Sequence, residues 1–224
     1  MNLTVKIFGL AVLALGAAVV VGSSNVRLPG NQIGYEPLQP IAYSHRLHAG
    51  DLGMPCLYCH YGAATSRQAG IPPASLCMNC HAFVTAGKDA QLEEEALAQA
   101  ENREPRKLVS PELQKLYDAL GLDERLVRDP RKPLQTIAWE RVHDLQDFVA
   151  FDHRPHVARG IACESCHGPV QTMERVRQFS DLSMGWCVQC HRDNARDPDS
   201  AGTVTAGGAP QLHHVSTDCA ACHY

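Results

Sequence analysis

The pentapeptide Cys-x-x-Cys-His occurs five times, at Cys56–His60, Cys77–His81, Cys163–His167, Cys187–His191 and Cys219–His223. All ten cysteines of the 224-residue chain fall inside these copies. This spacing is the attachment signature of c-type haem. Two thiols add across the two vinyl groups of one porphyrin, and the next residue brings an imidazole under the iron. Cys56, Cys59, Cys77, Cys80, Cys163, Cys166, Cys187, Cys190, Cys219 and Cys222 therefore read as the covalent attachment points of five haem c groups. His60, His81, His167, His191 and His223 read as the proximal ligands. Other uses of cysteine fit less well. Zinc sites pair one Cys-x-x-Cys with another or with two histidines, and five pairs cannot pair off. Neither zinc nor a disulfide framework gives a reason for a histidine after every second cysteine. A thioredoxin-like motif is expected once, beside a βαβ unit.

Each iron keeps one further axial position. Of twelve histidines, seven lie outside the motifs: His45, His48, His143, His153, His156, His213 and His214. Five are needed, so the sequence can close every iron with a second imidazole. His45 and His48 stand three apart, as do His153 and His156, with Ser44 and Asp152 in N-cap position before them. Each pair is expected on one face of a short helix, serving two different haems held close together. His143 is taken as the fifth distal ligand, with His213 and His214 in reserve. Met173 and Met184 are alternative axial ligands, since His/Met coordination raises the potential; packing against porphyrin is their plainer use. Trp186 reads as haem packing.

The same plan occurs twice. His-x-x-His, seven residues, a haem motif, sixteen residues and a second motif recur as His-x-x-His, six residues, a motif, nineteen residues and a motif. This is an internal duplication of about forty residues, the kind of repeat to be sought before any fold assignment. The organisation expected is a signal-anchor helix over 1–24, a Gly/Pro/Asn-rich tether over 25–40, a first dihaem module over 41–87, a helical insert over 88–138, a second dihaem module over 139–191 and a fifth-haem segment over 192–224. In the insert, Lys88 to Asn102 predicts an amphipathic helix with Leu92, Ala96, Leu97 and Ala100 on its apolar stripe and Glu93, Glu94, Glu95 and Glu101 mostly off it. Ser110-Pro111-Glu112 predicts the start of a second helix, ending near Gly121. Arg128 to Pro133 reads as a loop.

Aromatics make up 6% of the chain, too few for a large side-chain core, so buried porphyrin must supply much of the apolar interior. The fold expected is mostly α with much irregular chain, packed on haem. A formal charge of −4 without a basic block excludes nucleic-acid binding. Ile7 to Gly22 is apolar or glycine after a single Lys6. A helix from Val5 to Gly22 would measure about 27 Å, close to a bilayer core. No Ala-x-Ala site follows, which favours an uncleaved anchor over a signal peptide. Lys6 and the N-terminal amine place the N-terminus in the cytoplasm and the haem domain outside.

The runs Tyr43 to His48, Val142 to His156, Leu182 to His191 and Asp218 to Tyr224 resemble the membrane-anchored pentahaem cytochrome c subunit of alternative complex III, a quinol:electron-acceptor oxidoreductase. The paired modules also resemble the cytochrome c3/c7 class. The first resemblance implies an electron-transfer subunit, not catalytic alone, in the cytoplasmic membrane with its haems on the periplasmic side. Its partners would be iron–sulfur and polytopic quinol-binding subunits and an acceptor such as a monohaem cytochrome c. The second implies that His45 serves the haem at His60 and His153 the haem at His167, with His48 and His156 reaching haems attached elsewhere. Two alternatives stand beside this reading: a stand-alone quinol dehydrogenase or shuttle, and a multihaem reductase with one open haem.

Overall fold

The computed structural model describes residues 3–24, 32–195 and 215–223. Among these residues the regular structure is helical, and the only β-type pairing is two isolated bridges, Leu122 with Arg128 and Val149 with His223. The helices are α1 (Leu3–Ser24), α2 (Cys56–Cys59), α3 (Gly62–Thr65), α4 (Ala74–His81), α5 (Lys88–Ala100), α6 (Pro111–Ala119), α7 (His153–Ala158), α8 (Glu164–His167), α9 (Met184–Ala195) and α10 (Cys219–Cys222). A π-helical turn, Arg46–Asp51, and a 3₁₀ turn, Val170–Thr172, complete them. All five Cys-x-x-Cys runs are helical. Three-residue spacing on a helix puts both thiols of a motif on one face, where a single porphyrin can meet them.

The chain forms two compact units. One contains residues 35–142 and 151–180, and so holds the first three motifs. The other is assembled from 1–34, 143–150 and 181–224, and holds the last two.

In α1 the described side chains are exposed, Leu13 and Leu15 among them. Among the described residues no helix is long and apolar enough to cross a membrane. The membrane span expected over 1–24 is therefore without structural support. Residues 25–31 of the expected tether lie outside the described residues.

The side-chain core of the first three-motif unit is small and sits in the insert. Leu116, Tyr117 and Leu122 are buried together, with Ala74, Cys77 and Met78 of α4 packed against them. Helix α6 begins where its sequence says it should: the Ser110 hydroxyl accepts from Leu113 N at 3.2 Å, and Pro111 fills the first helical position. Gly121, at φ +61°, ends it in the left-handed region.

Helix α5 has the expected extent but the opposite orientation. Its buried residues are Glu94 and Ala98, while Leu92 and Leu97 are about half exposed. The expected apolar stripe faces outward because polar partners draw Glu94 in. Glu94 accepts from the Arg103 guanidinium and from Arg106 N at 2.7 Å, closing the chain that follows the helix. A carboxylate with a guanidinium and a backbone amide can be buried; alone it could not.

Candidate haem-binding sites

Numbering the motifs 1 to 5 along the chain, three non-motif histidines face a motif histidine in the first unit. His45 faces His60 with ring centres 6.4 Å apart and planes at 5°. His153 faces His167 at 6.3 Å and 6°. His48 faces His81 at 6.1 Å and 60°. A metal held about 2 Å from each ligating nitrogen puts two imidazole centres about 6.3 Å apart. The facing pairs thus leave room for one iron between them, so the residues fit haem ligated on both faces. The two members of the first His-x-x-His turn do diverge. His45 and His48 face different motif histidines, as the spacing argument requires.

Hydrogen bonds fix the imidazoles in the form that binds metal. His60 Nδ1 lies 2.8 Å from Gly70 O, His81 Nδ1 2.8 Å from Val84 O, and His191 Nδ1 2.7 Å from Ser216 O. His48 Nδ1 lies 2.8 Å from Ser44 O, His153 Nδ1 3.0 Å from Arg67 O, and His156 Nδ1 2.8 Å from Asp152 O. A carbonyl oxygen only accepts, so each Nδ1 carries the proton and each Nε2 presents its lone pair. Burial, then the neighbouring His60 and His48, push the His45 imidazole down to about 4. Burial, then His153 and His60, lower His167 as well. Burial likewise raises the thiols of Cys59, Cys77 and Cys187.

The turns that carry these ligands differ in form. Asp152 caps α7, its carboxylate accepting from Arg154 N at 2.9 Å. Ser44 also acts as a cap, with Leu47 N donating to its hydroxyl at 3.0 Å. The turn it opens is π-helical rather than the expected α-helix. An aromatic ring stands two residues before each first histidine, and sequence reasoning missed its role. Tyr43 meets His45 edge-on at 4.8 Å and stacks on His48 at 4.3 Å. Phe151 meets His153 edge-on at 4.8 Å and His156 at 4.9 Å. The shared aromatic-x-His-x-x-His pattern was the available signal. Tyr43 and Phe151 hold the paired imidazoles apart, which keeps each free to turn toward its own motif histidine.

In the second unit, His143 is half-buried and shares the unit with motifs 4 and 5. His223 packs against Phe148 at 5.6 Å, and Ala150 N donates to Cys222 O at 2.7 Å. His213 and His214 lie outside the described residues. Met173 is buried, whereas Met184 is 65% exposed and Trp186 half-buried. None of the ten cysteines is joined to another in a disulfide. Among the described residues no cluster of three or more His, Cys, Asp or Glu is placed to hold a bare metal ion. A porphyrin supplies its own equatorial nitrogens and asks only two ligands of the protein.

These features resemble those of multihaem cytochromes c of the c7 kind, a class that carries covalent haem c. Residues 149–224 match the family model of cytochrome c7 and related cytochrome c. Among curated proteins the chain is similar to the menaquinone reductase multihaem cytochrome c subunit of Nitratidesulfovibrio vulgaris (strain Hildenborough). The two are 30% identical over 165 residues, which is 74% of this chain and 56% of the relative. The chain thus spans about half the length of that relative.

Proposed function

We propose that the chain is an electron conduit with five covalent haems, each iron closed by two protein ligands. The observation that carries this reading is the set of facing imidazole pairs with their protons tied to carbonyls. Haem iron, when bound, supplies one-electron exchange between ferric and ferrous states. The protein's own residues set where that exchange occurs. Cys-x-x-Cys thiols fix each porphyrin, motif histidines fill one axial position, and His45, His48 and His153 fill the other at sites 1, 2 and 3. His143 and His156 complete the distal set, with His213 and His214 as the reserves. Two imidazoles on an iron leave no position for a substrate, so the chain transforms nothing by itself.

The finer reading is a subunit of a quinone-linked membrane complex of the alternative complex III kind. Residues 1–24 would anchor it, with the haems on the periplasmic side. Iron–sulfur and polytopic quinol-binding subunits would be its partners, and a monohaem cytochrome c or terminal oxidase the acceptor. The resemblance and the relative's assignment to a menaquinone reductase support a quinone link. They differ in direction. The first sends electrons outward from quinol, and the relative's name favours delivery to quinone.

Purification from membranes in mild detergent tests both levels. A pyridine haemochrome assay should return five haems per chain, and the ferrous spectrum should hold steady under carbon monoxide. Four haems or fewer, or a stoichiometric carbon monoxide adduct, would refute the conduit. Recovery without iron–sulfur or polytopic subunits would refute membership of a complex and leave the conduit standing.

A further inference from the structure

The duplicated modules of the first unit clasp each other reciprocally. Seven residues after His60, the Arg67 carbonyl accepts from His153 N at 3.2 Å and lies 3.0 Å from His153 Nδ1. The Arg67 Nε donates to Phe151 O at 2.8 Å. Six residues after His167, the Met173 carbonyl accepts from Arg46 N at 2.9 Å. The next residue, Glu174, accepts from Ser44 Oγ and Arg46 Nε, both at 2.9 Å. The segment after motif 1 therefore holds the ligand turn of motif 3, and the segment after motif 3 holds the ligand turn of motif 1. Gly50 of the first turn also presses on the Gln171 carbonyl so closely that a Cβ there would lie 2.3 Å away.

The two sites also meet at their attachment ends. Burial raises the Cys163 thiol, and the neighbouring Cys56 thiol raises it further. Cys56 and Cys163 are the first cysteines of their motifs. Equivalent residues thus meet at one point while equivalent segments exchange bonds around it. The exchange is reciprocal between the two repeats.

We propose that sites 1 and 3 form one coupled haem pair, with Arg67 and Glu174 as its positioning residues. The proposal rests on the conduit reading above. It orders the unit as site 2, site 1, site 3. His45 and His48 bring site 2 beside site 1, and the clasp brings site 3 to site 1's other neighbour segment. In that order the site at Cys56–His60 is the junction between the other two.

Electron paramagnetic resonance of the full-length, fully ferric protein provides the test. Neighbouring low-spin ferric irons broaden and shift each other's signals, so sites 1 and 3 should contribute coupled rather than isolated features. The double substitution Cys163→Ala, Cys166→Ala removes the covalent anchor of site 3 and should replace the coupled features of site 1 by a new, simpler signal in which site 1 couples to site 2 alone. His153→Met gives a second route that keeps the anchor. A thioether raises the potential of site 3, so a poised sample has site 3 ferrous and diamagnetic while its neighbour stays ferric. The same simpler signal should then appear. Arg67→Ala should reduce the coupled signal, and Arg67→Lys should restore it through a new donor to Phe151 O. No new signal in either site-3 variant would overturn the pair, and an unchanged signal in Arg67→Ala would overturn the role given to Arg67. Failure of the conduit reading would show earlier, as missing haems or high-spin signals in the unsubstituted protein.

Discussion

Gly50→Ala tests the packing between the two modules with one methyl group. Gly50 lies in the π-helical turn Arg46–Asp51, and an added Cβ would stand 2.3 Å from Gln171 O and 3.4 Å from Gln171 C. The obstacle is backbone, so it cannot rotate away; the turns must separate by about 1 Å to restore van der Waals contact. Overpacking of this kind costs about 1–3 kcal/mol. Alanine returns about 0.5–1 kcal/mol by restricting the unfolded chain at a helical position. The overlap wins, with a net loss of about 1–2 kcal/mol. For a chain of this size that lowers Tm by about 2–8 °C. Thermal melts of the haem-loaded protein, followed by far-ultraviolet circular dichroism, measure it. Gly185→Ala is the control, because near the start of α9 the nearest atom to its Cβ would be 3.9 Å away. That variant should hold or raise Tm. If Gly50→Ala raises Tm as well, the close approach of the two turns is wrong.

Three further outcomes are expected. The Arg103 guanidinium, then Arg106 N, hold the Glu94 carboxyl down at about 2. Its folded value lies below its unfolded one, so its stabilisation is present above about pH 4.5 and disappears as pH falls through about 2. Glu94→Gln should therefore lower stability at neutral pH and flatten the acid limb of a pH melt; an unchanged limb would count against the pairing. Ser110→Ala removes the α6 cap and should cost about 1 kcal/mol in chemical denaturation. Tyr117→Phe removes the donor to His81 O, a bond of 2.6 Å. It should cost about 1 kcal/mol and shift the midpoint of one haem in a redox titration, whereas a stability loss without any midpoint change would detach Tyr117 from site 2.

The residues legible in the sequence are those whose chemistry dictates spacing. Two thiols and an imidazole on one porphyrin require Cys-x-x-Cys-His. Two irons side by side require His45 and His48 to diverge from one turn. The orientation of α5 was hidden because the stripe rule assumes that apolar residues go inward. At Glu94 a guanidinium and a backbone amide reversed that balance, and neither partner lies within the helix. The clasp was hidden for a different reason. Its main acceptors are the carbonyls of Arg67 and Met173, and a carbonyl leaves no mark on residue identity. The Ser44 cap was readable, yet the π form of the turn it opens was not, since the same hydroxyl can cap either.

The meeting of Cys56 with Cys163 bears on how such a chain must be made. Before haem attachment, the sulfurs of two cysteines from distant parts of the sequence would be neighbours in this fold. In an oxidising compartment such neighbours are prone to join. A disulfide there would consume one attachment point from each of two motifs and block both porphyrins at once. Vinyl capture and oxidation would then compete for the same sulfurs, and a reductant present during attachment would favour capture. Starving the cell of that reductant should yield a chain deficient in two haems together rather than in a random one.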